Sequence, residues 1–194
     1  MAVYTKINQK EINIINKNFN IDKIISFKGI KQGIENTNYL LKSKKKKYIL
    51  TIFEKRVLQK EIPFFMKLMD NLNNSKINCP KPFKTKENKY LIKLKNKTAC
   101  IVSFLEGKDK KILNINDCYA IGKTIARMHV VTNKMKLNRK NSMGIRNLKP
   151  LLESIKFKSK KFSNLKVFLK NNLKNINRNW PKQLPKGIIH GDLF

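Results

Sequence analysis

Apolar and polar positions follow two different rhythms along this chain. In TKINQKEINIINKNFNI, Ile12, Ile15 and Phe19 recur at helical spacing among polar neighbours, which predicts a short amphipathic helix over about residues 8–18. IISFKGI then reads as a strand from Ile24 to Lys28. Gly33 and the Asn-rich stretch after it suit a turn. A second strand follows from Asn38 to Lys42, and a third, dense in β-branched and aromatic side chains, over Tyr48–Phe53. Three consecutive strands joined by short turns predict an antiparallel meander. Helical spacing returns from about Leu58, where Phe65, Leu68, Met69 and Leu72 form an apolar stripe; Pro63 fits only in or before the first turn. The prolines of NCPKPF bias that stretch toward extended backbone. KYLIKLKNKTACIVSFLEG predicts two more strands around a turn at Lys95, Asn96 and Lys97, with Gly107 closing the second.

Beyond Gly107 the rhythm is helical. Ile121, Ile125 and Met128 share one face of a predicted helix, with Asn114 or Asn116 as its cap and Asp117 near its positive end. LKPLLESI and NLKVFLKNNLKNINRNW predict two further helices. The expected fold class is therefore α+β: a five-stranded antiparallel sheet with one inserted helix, then a helical part, the boundary lying near residues 103–108. No internal repeat and no long low-complexity linker interrupts this order.

Composition narrows the class. The 194 residues suffice for one medium domain or two small lobes, and 41% hydrophobic residues allow a buried core. The net charge of +32, from 44 Lys and Arg against 12 Asp and Glu, raises the possibility of a polyanion partner. Heavy joint use of Lys, Asn and Ile points instead to compositional bias, and the basic residues are spread over the whole chain. Their densest run, Lys44 to Lys47, lies between two predicted strands and reads as a hairpin turn. With no RNA-binding aromatic signature, zinc finger or basic zipper, no specific nucleic-acid partner is expected. Cys79, Cys100 and Cys118 are odd in number and far apart, so buried reduced thiols are expected rather than disulfides or zinc ligands. No segment reaches the roughly 18 apolar residues of a membrane span and the first residues carry no signal-like core. The expectation is a cytoplasmic protein with no membrane partner.

The block with the most chemistry is IIHGDLF, residues 188–194, which sets a carboxylate just after a His-Gly turn. It follows, in order, SFKGIKQGIENTNYLL, YILTIFEKR, PFFMKLMDNL, CPKP, IVSFLEG and IGKTIARMH. Together these resemble the aminoglycoside phosphotransferase and choline kinase superfamily, which has a protein-kinase-like fold. Within it they are most similar to the homoserine kinase family. IENTNYLL followed by YILTIFEKR carries that narrower likeness; HGDLF alone says only kinase-like.

The resemblance implies an N-terminal nucleotide-binding lobe over 1–102, a hinge over 103–107 and a partial helical C-terminal lobe over 108–194 that ends in the catalytic loop. It implies ATP and L-homoserine as small-molecule substrates, with Mg²⁺ as cofactor. The loop with Gly33, Asn36, Thr37 and Asn38 would cover the phosphates with main-chain N–H groups. Thr51 falls where the third strand usually carries a phosphate-binding lysine; Lys55 and Arg56 lie just beyond it. Glu61 is the counterpart of the helix carboxylate that pairs with such a lysine. Ser103, Phe104 and Leu105 are the hinge positions that meet adenine. Asp192 would handle the proton of the attacking hydroxyl, with His190 bracing the loop, while His129 is read as structural. The family's metal ligands, an Asn about five residues after the loop carboxylate and a later Asp, have no counterpart before Phe194. The resemblance thus implies a fragment, inactive by itself. Two readings stay open beside it: another small-molecule kinase acting on choline, an aminoglycoside or a sugar, and a non-catalytic basic protein that binds nucleotide or nucleic acid.

Overall fold

The computed structural model describes residues 3–54, 58–141, 144–155 and 162–192. The chain divides into two compact units, one of residues 1–137 with 188–194 and one of 138–187. The first holds α1 (Gln9–Asn18), β1 (Ser26–Gly29), β2 (Thr37–Lys42), β3 (Lys47–Ile52), α2 (Ile62–Asn74), β4 (Ile92–Leu94), β5 (Lys97–Ser103) and α3 (Ile115–Asn133). The second holds α4 (Ile145–Ser154) and α5 (Ser163–Asn179), which pack on each other. The α+β class expected from the sequence is the one found.

The five strands form one sheet in the order β1-β2-β3-β5-β4, antiparallel throughout. Side chains alternate between its faces. Tyr39, Leu41, Tyr48, Leu50, Ile52, Ala99 and Ile101 lie on one face, under Ile12, Ile15 and Phe19 of the N-terminal helix region. Cys100 and Val102 lie on the other, against Ile62 and Met66 of α2, with Ile49 and Phe53 packed alongside. A sheet covered on both sides must be apolar on both, which is why β5 reads as the nearly continuous run TACIV.

Local signals explain most boundaries. Asn8 caps α1 by accepting from the Lys10 amide at 2.8 Å, while Glu11 accepts from the Asn8 amide at 2.7 Å. Asn114, not Asn116, caps α3 in the same way, with Asp117 reaching back at 3.1 Å. Lys110 holds Asp117 at 2.6 Å. In the β2–β3 turn the Ser43 hydroxyl accepts from the Lys45 and Lys46 amides, so the turn occupies 43–46 and Lys47 already belongs to β3. The β4–β5 turn is tighter than the predicted three residues. Lys95 and Asn96 both take positive φ, +48° and +62°, as a two-residue hairpin requires, and Lys97 starts β5.

Several expectations are corrected. β5 ends at Ser103 rather than at Gly107. In α2 the buried residues are Ile62, Met66 and Leu72; Phe65, Leu68 and Met69 are only half-buried. The helix starts at Ile62 with Pro63 in its first turn, so the face on the sheet is set from Ile62. In α3, Ile125 and Met128 are half-buried but Ile121 is exposed. Of the three free cysteines only Cys100 is fully buried, its thiol pushed up to about 12 by desolvation; Cys79 is half-buried and Cys118 exposed. Among the described residues no helix is long and apolar enough to cross a membrane.

The α1–sheet contact gives a direct test. Ile15 is completely buried and its neighbour Ile14 is 42% exposed. Ile15→Ala should cost about 2–5 kcal/mol through lost burial and a residual cavity. Ile14→Ala should stay within about 0.5 kcal/mol. Urea unfolding followed by circular dichroism checks both.

Candidate functional site

The turn between β1 and β2 is the longest in the meander. It leaves β1 after Gly29, and the Ile30 amide donates to the Asn38 carbonyl at 2.9 Å. Gly33 holds φ at +94°, and a Cβ built there would meet nothing within 4 Å. Glycine is therefore required by the backbone and not by crowding, and the turn's tip is open to a ligand.

The turn re-enters the sheet through Asn36, Thr37 and Asn38, and here the structure brings four of the predicted residues together. Asn36 accepts from the Glu54 amide at 3.2 Å. Thr37 is fully buried. Its hydroxyl accepts from the Tyr4 and Thr5 amides at 3.0 and 3.1 Å and donates to Glu54 Oε1 at 2.7 Å. Asn38 lies opposite Thr51 in the β2–β3 register, and the Thr51 hydroxyl donates to Asn38 Oδ1 at 2.8 Å. By alternation Thr37 points to the α1 face, while Asn38 and Thr51 point to the α2 face. The loop is thus anchored on one side of the sheet and presents a neutral polar pair on the other. No lysine replaces Thr51 in β3; Lys55 and Arg56 lie outside the described residues. Glu61 ends the 3₁₀ turn that leads into α2, where its amide donates to the Leu58 carbonyl at 2.8 Å.

The predicted hinge residues form a second group at the end of β5. Ser103 exchanges hydrogen bonds with Lys81, its amide donating to the carbonyl and its hydroxyl accepting from the amide, both at 2.9 Å. The Phe104 amide donates to the Lys47 carbonyl at 3.4 Å. Lys47 Nζ sits 5.2 Å from the Phe104 ring centroid and 2.8 Å from Glu106. Leu105 is exposed. His190 and Asp192 form a third group, flanking Gly191, whose φ is +78°. Both side chains are exposed. His129 is exposed on α3, and its carbonyl accepts from the Thr132 hydroxyl. Among the described residues no three His, Cys, Asp or Glu come together as metal ligands, so these residues do not by themselves fit a divalent ion.

Sequence reasoning passed over the best-connected polar residue of the region. Glu54 is almost fully buried, with side-chain exposure of 9%. It accepts from the hydroxyls of Thr5 and Thr37, each at 2.7 Å, and pairs with Lys97 Nζ. Lys97 Nζ also donates to the Thr5 hydroxyl at 2.7 Å. Burial by itself would raise the Glu54 pKa. The hydrogen bonds from Lys97, Thr5 and Thr37, with the Lys97 charge, outweigh it and hold the carboxyl below its ordinary value. The available signal was parity: Glu54 is in phase with Leu50 and Ile52, both completely buried.

Over residues 26–194 the chain matches the phosphotransferase enzyme family, and it belongs to that family. It is 37% identical over 195 residues to a homoserine kinase of Paramagnetospirillum magneticum and 36% identical to one of Parvibaculum lavamentivorans. Both alignments cover 100% of this chain, which spans 60% and 61% of those relatives' lengths. Among solved structures it is similar to an amicoumacin kinase in complex with AMP-PNP, Ca²⁺ and amicoumacin. There the TM-score is 0.71 at 18% identity, covering 97% of this chain and 59% of the other. A spectinomycin phosphotransferase in complex with ADP and spectinomycin gives a TM-score of 0.55 at 18% identity, covering 90% and 56%. These likenesses establish the protein-kinase-like fold.

The Glu54 node predicts an acid-labile fold. A carboxyl whose folded pKa lies below its unfolded one contributes stability that is complete above the ordinary value of 4.5. That stability is lost as pH falls through the folded value. Glu54→Gln should cost about 1–3 kcal/mol at pH 7 and should flatten the loss of stability below pH 4.5. Urea midpoints measured from pH 7 down to 3 test this; an unchanged acid slope in the variant would contradict it.

Proposed function

We propose that these residues form the nucleotide-binding part and the start of the catalytic loop of an ATP-dependent kinase. Its acceptor is the side-chain hydroxyl of L-homoserine and its product O-phospho-L-homoserine, a step toward threonine. The observation that carries this reading is the 37% identity to a homoserine kinase, sustained along the whole of this chain. The antibiotic kinases support the fold but, at 18% identity, do not favour an antibiotic acceptor.

Each group of residues has a part in this reaction. The open turn at Gly33 supplies main-chain N–H groups to the phosphates, as phosphoryl-transfer loops do. Asn38 and Thr51 offer hydrogen bonds on the α2 face and no charge. Ser103 to Leu105 border the adenine. Glu61 stands at the start of α2 as the helix carboxylate. Asp192 accepts or orients the acceptor's hydroxyl proton, and His190 braces its loop, which Gly191 turns. Catalysis in such a site is mostly positioning and charge stabilisation. Mg²⁺ would be the divalent ion accompanying ATP and would neutralise phosphate charge; Asp192 by itself is too little to hold it. The cytoplasm is the proposed site of action, since three free cysteines suit a reducing compartment.

Two measurements test the assignment. Residues 1–194 should bind ATP or ADP weakly, seen as a nucleotide-dependent melting shift; no shift at millimolar nucleotide would remove the nucleotide role of this part. In a full-length protein carrying these residues, ADP release should be fastest with L-homoserine and slow with choline or spectinomycin. There Asp192→Asn should lower kcat by about 10²–10⁴-fold and leave ATP affinity within a few-fold. A variant with undiminished turnover would remove Asp192 from the chemistry.

A further inference from the structure

Residues 1–25 precede the segment that matches the phosphotransferase family, yet Val3, Tyr4 and Thr5 are tied to the β1–β2 turn at its start, tip and end. At the start, a Cβ on Gly29 would lie 2.9 Å from Val3 Cγ2, so Val3 sits directly on the end of β1. At the tip, the Tyr4 hydroxyl donates to the Ile34 carbonyl at 3.1 Å. At the end, the Tyr4 and Thr5 amides converge on the Thr37 hydroxyl. The arm itself is fixed from below. Thr5 donates to buried Glu54 at 2.7 Å, and its carbonyl accepts from the Tyr39 hydroxyl at 3.0 Å. The hydrogen bonds among these contacts are long-range, 30 residues or more apart, so they do not arise from local chain geometry.

We propose that Val3–Thr5 is a positioning strap that holds the 30–36 turn in the shape in which it receives nucleotide phosphates. The inference rests on the nucleotide reading of that turn. Its physical content is pre-organisation. A turn with an open glycine at its tip is costly to order, and ordering it before binding removes that cost from the binding step. Tyr4 and Thr5 act through the turn and touch no substrate; they are positioning residues. The Tyr4 side chain is more than half exposed, so its hydroxyl contributes to the turn's shape with little role in the core.

Tyr4→Phe deletes only the hook on Ile34. Thr5→Val deletes the hydroxyl bonded to Glu54, and Thr5→Ser restores it. Turn opening is read as the rate of cleavage after Glu35 by a glutamate-specific protease. Cleavage after Glu87, in an exposed turn elsewhere in the same unit, serves as control. Loss of one such hydrogen bond should raise cleavage after Glu35 by about 2- to 10-fold, leave cleavage after Glu87 unchanged, and weaken ADP binding by up to the same factor. Thr5→Ser should behave as the parent. Unchanged Glu35 cleavage in both Tyr4→Phe and Thr5→Val overturns the strap. Faster Glu35 cleavage with unchanged ADP affinity overturns its role in nucleotide binding. A parent chain that binds no nucleotide at millimolar concentration sinks the nucleotide reading instead, and the Glu35 rate still decides whether the strap holds the turn.

Discussion

The Glu54 side chain is only 9% exposed, and a charge so largely removed from water persists only where it is paired and hydrogen-bonded. Its donors come from three separate segments: the N-terminal arm, the start of β2 and the start of β5. The sheet register is what delivers them. Ile52 faces Thr37 on one side and Ala99 on the other. Continuing the β3–β5 ladder two residues places Glu54 opposite Lys97, and the Phe53 amide bonds the Thr98 carbonyl on the way. A slip of one residue would turn Glu54 to the α2 face, away from Lys97 and Thr37, and leave its charge uncompensated. The node therefore selects the register as much as it adds stability, and the turn that begins the candidate site inherits its position from that register.

The same sheet explains why the candidate site is polar on one face and anchored on the other. Both faces of the central strands are apolar because α1 covers one and α2 the other. Polar side chains can enter only near the strand ends, where cover thins and partners are close. Thr37 enters on the α1 face and is consumed by Glu54 and the arm. Asn38 and Thr51 enter on the α2 face, where the Thr51 hydroxyl donates to Asn38 Oδ1. No described buried side-chain N or O atom is left without a partner, so neither face carries a stored polar penalty.

Much of this was legible in the sequence, and each miss has a physical cause. The strands and α1 followed from short periodic blocks whose cores are set by neighbours close in the chain. The order of those blocks, with HGD at the end, pointed to the kinase-like fold. Glu54 was not legible as a node because its lysine lies 43 residues away and 44 basic residues make any one of them look solvated. Tyr4 and Thr5 were invisible for the same reason: their partners are 30 to 92 residues distant. On α2 the stripe read from the sequence includes buried Leu72 and the flanking Phe65 and Met69 but misses Ile62 and Met66, whose packing fixes the phase. Cys118 was expected to be buried on residue type alone, whereas its helix face is exposed.

On the proposed reading, Asn38 and Thr51 form a neutral pair where the family resemblance implies a cation, and Lys55 and Arg56, just beyond β3, lie outside the described residues. On the proposed reading, phosphate would be held by main-chain N–H groups fixed by the turn's shape, and by the diffuse field of a chain with net charge +32. These two contributions differ in range. The diffuse field is screened over roughly 8 Å at physiological salt, whereas hydrogen bonds from an ordered turn act at contact and are nearly insensitive to salt. A general positive field attracts any polyanion equally and cannot place a phosphoryl group in line with an acceptor hydroxyl. On that reading selectivity resides in the geometry of the turn, which the proposed strap, the Glu54 node beneath it and the sheet register that assembles that node would hold.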